Sequence, residues 1–172
     1  MKELLLAERG EYLKNGVVVF VFNFKGEVLV VEENTHNGDT GKSLGQRGVI
    51  CETARFGEDW FATVDRGLAE ELGIDGQQPR SGSLFLGQTA FLPGVLARVA
   101  ALVWTGKEGA LLTAKGDGEV TPIGWFNLEA LYQMENLRPG VKNVLDACRQ
   151  RKTLEMFREI AMAHHNGKTN LD

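Results

Sequence analysis

Two short runs of β-branched and aromatic residues, Val17–Phe22 and Val28–Val31, flank the segment Asn23-Phe24-Lys25-Gly26-Glu27. Apolar runs of this length around a glycine-containing loop predict a β-hairpin, so a sheet is the frame on which the rest of the chain must be placed. Further strands are expected between Ser83 and Thr105, the clearest being Val95–Trp104, with Pro93-Gly94 as the turn before it. Another is expected over Glu119–Phe126, followed by a short helix from Leu128.

Between these strands the periodicity changes. From Asp59 to Leu72 the residues Phe61, Val64, Leu68 and Leu72 recur at steps of three and four, which predicts one buried helical face. Asp59 can cap the start of this helix and Gly73 its end. A long C-terminal helix is expected over Val141–Ala163, after the turn Arg138-Pro139-Gly140. Strands on both sides of a central helix give an α+β fold, an α/β/α sandwich around a mixed β-sheet.

At 172 residues the chain can bury one substantial core, and residues 1–172 are expected to form a single domain. The net charge of -4 comes with scattered lysines and arginines, so no basic stripe suits a nucleic-acid backbone. A small anionic substrate would need a metal's help. No apolar stretch reaches the roughly 20 residues that span a bilayer, and the start Met1–Glu8 is interrupted by acids. A cytoplasmic protein with no membrane or nucleic-acid partner is the expectation. Apolar strands are compatible with a homodimer.

Cys51 and Cys148 are far apart, without a CxxC partner, and read as ordinary thiols. His36 stands alone, and His164-His165, adjacent in a helical pattern, point in different directions and make a poor metal pair. The segment Gly38–Ser43 imitates the end of a phosphate-binding loop, but His36 stands where its first glycine belongs and no helix begins at Ser43. Lys42 and Arg47, in the polar loop Glu33–Gly48, are candidates for contact with substrate phosphates. Phe85, Phe91 and Trp104 read as core residues rather than base-stacking platforms.

The candidate chemistry lies on the central helix. Arg66 precedes Glu70 by one turn on the same side, Glu71 follows, and Glu58 stands just before the helix. A carboxylate-rich edge on an apolar-backed helix suits a hard divalent cation if nearby loops add oxygen ligands. Taken alone, such an edge is more often just a solvated helix face.

The spacing decides between these readings, because the segment 48–74 resembles the Nudix box, G-x(5)-E-x(7)-R-E-U-x-E-E-x-G-U with U aliphatic. Glu58, Arg66, Leu68, Glu70, Glu71, Gly73 and Ile74 fall on seven of its positions. Two positions depart. Counting back from Glu58 puts the first glycine on Glu52; Gly48 is the glycine that would take its part, with Thr53–Phe56 as an insertion. The glutamate expected after Arg66 is Gly67, which costs about 1 kcal/mol of helix propensity relative to Ala with no gain visible in the sequence.

The resemblance implies a metal-dependent hydrolase that cleaves the pyrophosphate of a nucleoside diphosphate linked to another group. It implies Mg²⁺ or Mn²⁺ held by Glu70 and Glu71, with Gly48 and Glu119 as further metal contacts. Glu58 and Arg66 would position these ligands. Glu119 is the candidate to replace the missing carboxylate, ahead of Asp117 and Glu108; for each the alternative is a loop carboxylate facing water. The competing function is a catalytically inactive Nudix-fold module that binds a nucleotide or a protein. Gly67 favours that reading and the retained acids favour the enzyme.

Overall fold

The computed structural model describes residues 12–75 and 78–165. The segment Met1–Glu8 lies outside them, as does the side chain of His165. The expected hairpin is present: β1 (Lys14–Phe22) and β2 (Val28–Glu33) pair antiparallel at Phe22 and Val28. Asn23 closes its turn, because its Oδ1 accepts the backbone N–H groups of Lys25 and Glu27 at 3.0 and 2.9 Å. Gly26, at φ 76°, supplies the left-handed residue.

The sheet continues through β3 (Arg47–Gly48), β4 (Ile50–Thr53), β5 (Leu84–Leu92), β6 (Val95–Val103) and β7 (Val120–Phe126). β6 lies parallel to β1 over the full strand, from Lys14 opposite Val95 to Phe22 opposite Val103. β2, meanwhile, pairs with β3 and β7. The other edge of β1 is shared, since Phe22 pairs with β2 while Gly16–Val19 pair with β4. The sheet therefore forks, and a cleft lined in part by Cys51, Glu52 and Thr53 of β4 opens beside that fork.

Both faces of β1 are covered, which is why its apolar run is continuous rather than alternating. Val17, Val19 and Val21 join Leu29, Val31 and Ile50 beneath helix α1 (Trp60–Leu72), which adds Val64, Leu68 and Leu72. On the opposite face Val18, Phe20 and Phe22 pack with residues of α4 (Pro139–Arg151) and α5 (Thr153–His165). Two short helices, α2 (Glu108–Leu112) and α3 (Leu128–Tyr132), complete the layers. The architecture is the expected α/β/α sandwich.

Asp59 caps α1 by accepting the N–H of Ala62 at 2.8 Å, and Gly73 ends it at φ 65°. Phe61 departs from expectation. It shares the direction of Leu68 and Leu72 but sits in the first turn, where it stays 52% exposed and its ring stacks on Trp60 at 3.7 Å. Thr63, Gly67 and Glu71 are instead buried with the apolar stripe. Phe91 and Trp104 are core residues as expected, whereas Phe85 is 45% exposed.

The single long C-terminal helix is corrected to two. Lys152 adopts a left-handed conformation, φ 55° and ψ 28°, and breaks the pattern between α4 and α5. The reason is packing: the bend lets Leu154, Phe157 and Ala161 reach the same core as Val141, Val144 and Leu145. Periodicity survives such a break because each half keeps its own apolar face.

Candidate active site

Helix α1 offers two acidic surfaces with different partners. On its outer edge Arg66 holds Glu58 through two hydrogen bonds of 2.9 Å, one from Nε and one from Nη2. Its Nη1 lies 3.1 Å from Glu70 and 3.0 Å from Glu52, and Nη2 also donates to the Thr53 carbonyl at 2.6 Å. One guanidinium thus ties the loop, the strand β4 and the helix together, which a lysine's point charge could not do. Glu58 further accepts from the Arg55 N–H and the Thr63 hydroxyl. Hydrogen bonding by Arg66, then by the Arg55 backbone, holds the Glu58 carboxyl down to about 2. Glu70 spends its second oxygen on Arg55, at 2.9 Å.

Glu71, the next residue, faces the opposite situation. Its side chain is buried at 5% exposure, and its Oε2 has no hydrogen-bond partner. Burial, and after it the charge of Glu33, pushes its carboxyl well above the usual range. It lines a cleft of about 330 Å³ together with Glu52, Glu119, Lys42, Arg138 and His36. An unpartnered buried carboxylate oxygen in a cleft is costly in isolation and is the group a cation would satisfy.

The cations in this cleft are buried and already engaged. Lys42 sits between Glu119, 2.7 Å away, and Glu33, 3.2 Å away. Burial pulls its pKa down, but the hydrogen bond to Glu119 and the charge of Glu33 outweigh that and hold it above the usual lysine value. Arg138 pairs with Glu33 at 3.1 Å, donates to the Thr40 carbonyl and lies 5.0 Å over the Phe91 ring. Its anchoring explains the turn before Pro139: the backbone there also bonds to β3, where the Arg138 N–H donates to the Arg47 carbonyl.

The sequence-derived residues therefore separate. Glu71, Glu119 and Lys42 line the cleft. Glu58, Arg66 and Glu70 form the arginine-bound edge beside it. Arg47 and Gly48 do not line the cleft: they form β3, paired with Glu32 and Val31, and Gly48 lies under Val141. Asp117 uses its carboxylate on the Glu119 N–H, and Glu108 pairs with Lys25. Glu33, Glu52 and Arg138 are the residues that the sequence reading missed. Of these only Glu52 left a signal, as the residue on which the box's first glycine falls. The β4 ladder runs without a shift from Ile50 opposite Val19 to Thr53 opposite Gly16, the Ala54 N–H continues it to the Asn15 carbonyl, and Arg55 and Phe56 follow in the loop before α1.

A cleft flanked by a capped helix of this spacing and a forked mixed sheet matches a known domain. Residues 13–148 fit the family model of the NUDIX domain. The chain belongs to the Nudix family. Among solved structures, this Nudix chain resembles a MutT protein from Methanosarcina mazei Go1, with a TM-score of 0.59 and 19% identity, over 81% of this chain and 94% of that one. It also resembles the Nudix domain of Shewanella oneidensis NrtR in complex with ADP ribose, with a TM-score of 0.56 and 16% identity, over 80% and 86% of the two chains. An ADP-ribose pyrophosphatase from Streptococcus suis gives a TM-score of 0.56 at 18% identity, over 84% and 92%. At these identities the likeness is one of fold. No curated protein matches the chain.

The Nudix fold implies a divalent cation, and the donor set fits one. The cleft offers hard carboxylate oxygens, and Glu71 Oε2 is buried without a partner. Among the described residues no three His, Cys, Asp or Glu side chains are gathered into a ready-made metal cage. Glu70 and Glu119 are held by cationic side chains instead. No helix among the described residues is long and apolar enough to cross a membrane.

Proposed function

We propose that the protein is a metal-dependent Nudix hydrolase that cleaves the pyrophosphate of a nucleoside diphosphate linked to another moiety. The observation that carries this reading is Glu71, which keeps a buried oxygen without a partner and lines a cleft with further carboxylates, Lys42 and Arg138. Mg²⁺ or Mn²⁺ would be held by Glu71, with Glu119 and Glu70 joining as they release Lys42 and Arg55. Such an ion supplies charge neutralisation at the phosphates and a lower cost of forming the attacking hydroxide.

The chain's own residues divide the remaining work. Arg66 and Glu58 keep α1 and the preceding loop in register with β4, so the carboxylates start from fixed positions. Lys42 and Arg138 present positive charge to a diphosphate, and their burial keeps that charge fixed in place. One fold neighbour is an ADP-ribose complex and another an ADP-ribose pyrophosphatase, which makes ADP-ribose the first substrate to try. We place the protein in the cytoplasm, acting on a small molecule without nucleic acid or membrane, alone or as a homodimer.

The competing reading is a silent binding module, and the arginine-bound state of Glu70 is the observation on its side. A panel of nucleoside diphosphate derivatives assayed with Mg²⁺ or Mn²⁺ and with EDTA separates the two. Turnover that is lost both in EDTA and in Glu71→Gln supports the hydrolase. Nucleotide binding with no turnover across the panel would replace it with the silent module.

A further inference from the structure

The two departures from the Nudix box, a glutamate where a glycine belongs and a glycine where a glutamate belongs, lie far apart in sequence. In the fold they face each other. A Cβ built on Gly67 would stand 2.9 Å from Glu52 Cβ, 3.4 Å from Glu52 Cγ and 3.7 Å from Ile50 Cγ2. Side-chain carbons do not approach to 2.9 Å, so with Glu52 in place even an alanine at 67 must displace β4 or the helix. Only one of the two positions can carry a full side chain at this contact, and here it is the strand position.

The direction of the Glu52 side chain follows from that contact. It extends over the bare turn of α1, is 19% exposed, and lines the same cleft as Glu71 and Glu119. Its Oε1 is fixed by the Thr53 N–H at 2.8 Å and by Arg66 Nη1 at 3.0 Å. The carboxylate is thus held beside the helix edge on which the box places its missing acid. Independently, the buried Glu71 oxygen in this cleft has no hydrogen-bond partner, and a cation would satisfy it.

We propose that Glu52 supplies, from strand β4, the cation-binding carboxylate that position 67 lacks, and that Gly67 is the complementary change that makes room for it. The proposal rests on the hydrolase reading for the identity of the ion. It makes the box transposed rather than degraded: the same negative charge enters the cleft from the sheet side instead of the helix side. It also gives Gly67 the structural role that the sequence alone withheld.

The test is Mn²⁺ binding followed by electron paramagnetic resonance, alongside thermal melting, in the full chain. Glu52→Gln is close to isosteric, keeps a hydrogen-bonding oxygen for Arg66, and is expected to weaken Mn²⁺ binding about 10- to 100-fold with little change in melting temperature. Gly67→Glu alone should bind no better than the parent and melt lower, because two side chains then compete for one space. The pair Glu52→Gly with Gly67→Glu should recover most of the affinity that Glu52→Gly loses. Parental Mn²⁺ affinity in Glu52→Gln overturns the transposition while leaving the hydrolase reading intact. So does a folded double variant no better than Glu52→Gly. A parent protein that binds no Mn²⁺ overturns both.

Discussion

Glu70 and Glu71 are neighbours in sequence and opposites in environment. Glu70 is satisfied on both oxygens by Arg55 and Arg66 at the helix edge, whereas Glu71 is buried with an oxygen that no group reaches. The helical turn of about 100° between adjacent residues sends one carboxylate to an arginine cluster and the other into the cleft. The lesson is that acidic residues in one motif need not share a role. The edge of α1 has its carboxylates paired, whereas the cleft keeps one buried carboxylate oxygen unpaired at a cost in stability.

The sharpest way to break that comparison is Glu71→Gln. Metal-dependent turnover is expected to fall about 100-fold or more, at or beyond the upper end of what losing an outer-shell partner of a metal ligand costs. Stability should move the other way. Because burial raises the folded-state pKa of Glu71, the unfolded chain ionises first. The stability this group contributes is full below the ordinary carboxylate range and is lost as pH rises toward its folded value. In EDTA the parent should therefore melt lower at pH 8 than at pH 5 by more than the variant does. Melting curves with the same pH dependence in both proteins would sink this account of Glu71.

Glu70→Gln should cost roughly tenfold in metal affinity, less than its neighbour, and should give no stability gain at high pH. Equal losses in metal titrations of the two variants would erase the distinction drawn here. Arg66→Ala is expected to destabilise the fold by about 2 kcal/mol in urea titrations, below the range for a fully buried pair because the side chain retains some exposure. Arg66→Lys should recover only part of that loss, since the fork geometry is what joins Glu58, Glu52 and Thr53.

Glu58→Gln should have the smallest effect. With its pKa held down to about 2, Glu58 contributes stability that is present above the ordinary carboxylate range and lost as pH falls through about 2. The variant should melt slightly below the parent at neutral pH and converge with it in strong acid. A gap that persists at the lowest pH would show that the charge of Glu58 is not what orders the loop.

Much of the frame was legible from residue order. The hairpin around Asn23–Glu27, the capped helix between Asp59 and Gly73 and the Pro93-Gly94 turn follow from side-chain period and local backbone chemistry. These are short-range forces that act on neighbours in the chain. The break at Lys152 and the exposure of Phe61 were not legible, because each depends on where the core ends rather than on the local pattern.

For the site, the motif by itself determined which helix carries the acids and which arginine serves them. It could not decide how the two irregular positions relate, since Glu52 and Gly67 belong to different elements and meet only when α1 packs on β4. Nor could it reveal Glu33 and Arg138, 105 residues apart, as a buried pair. Charge and spacing along a chain fix which groups are available. Burial, which sets whether a carboxylate is paired, neutral or waiting for a cation, exists only once the layers close over it.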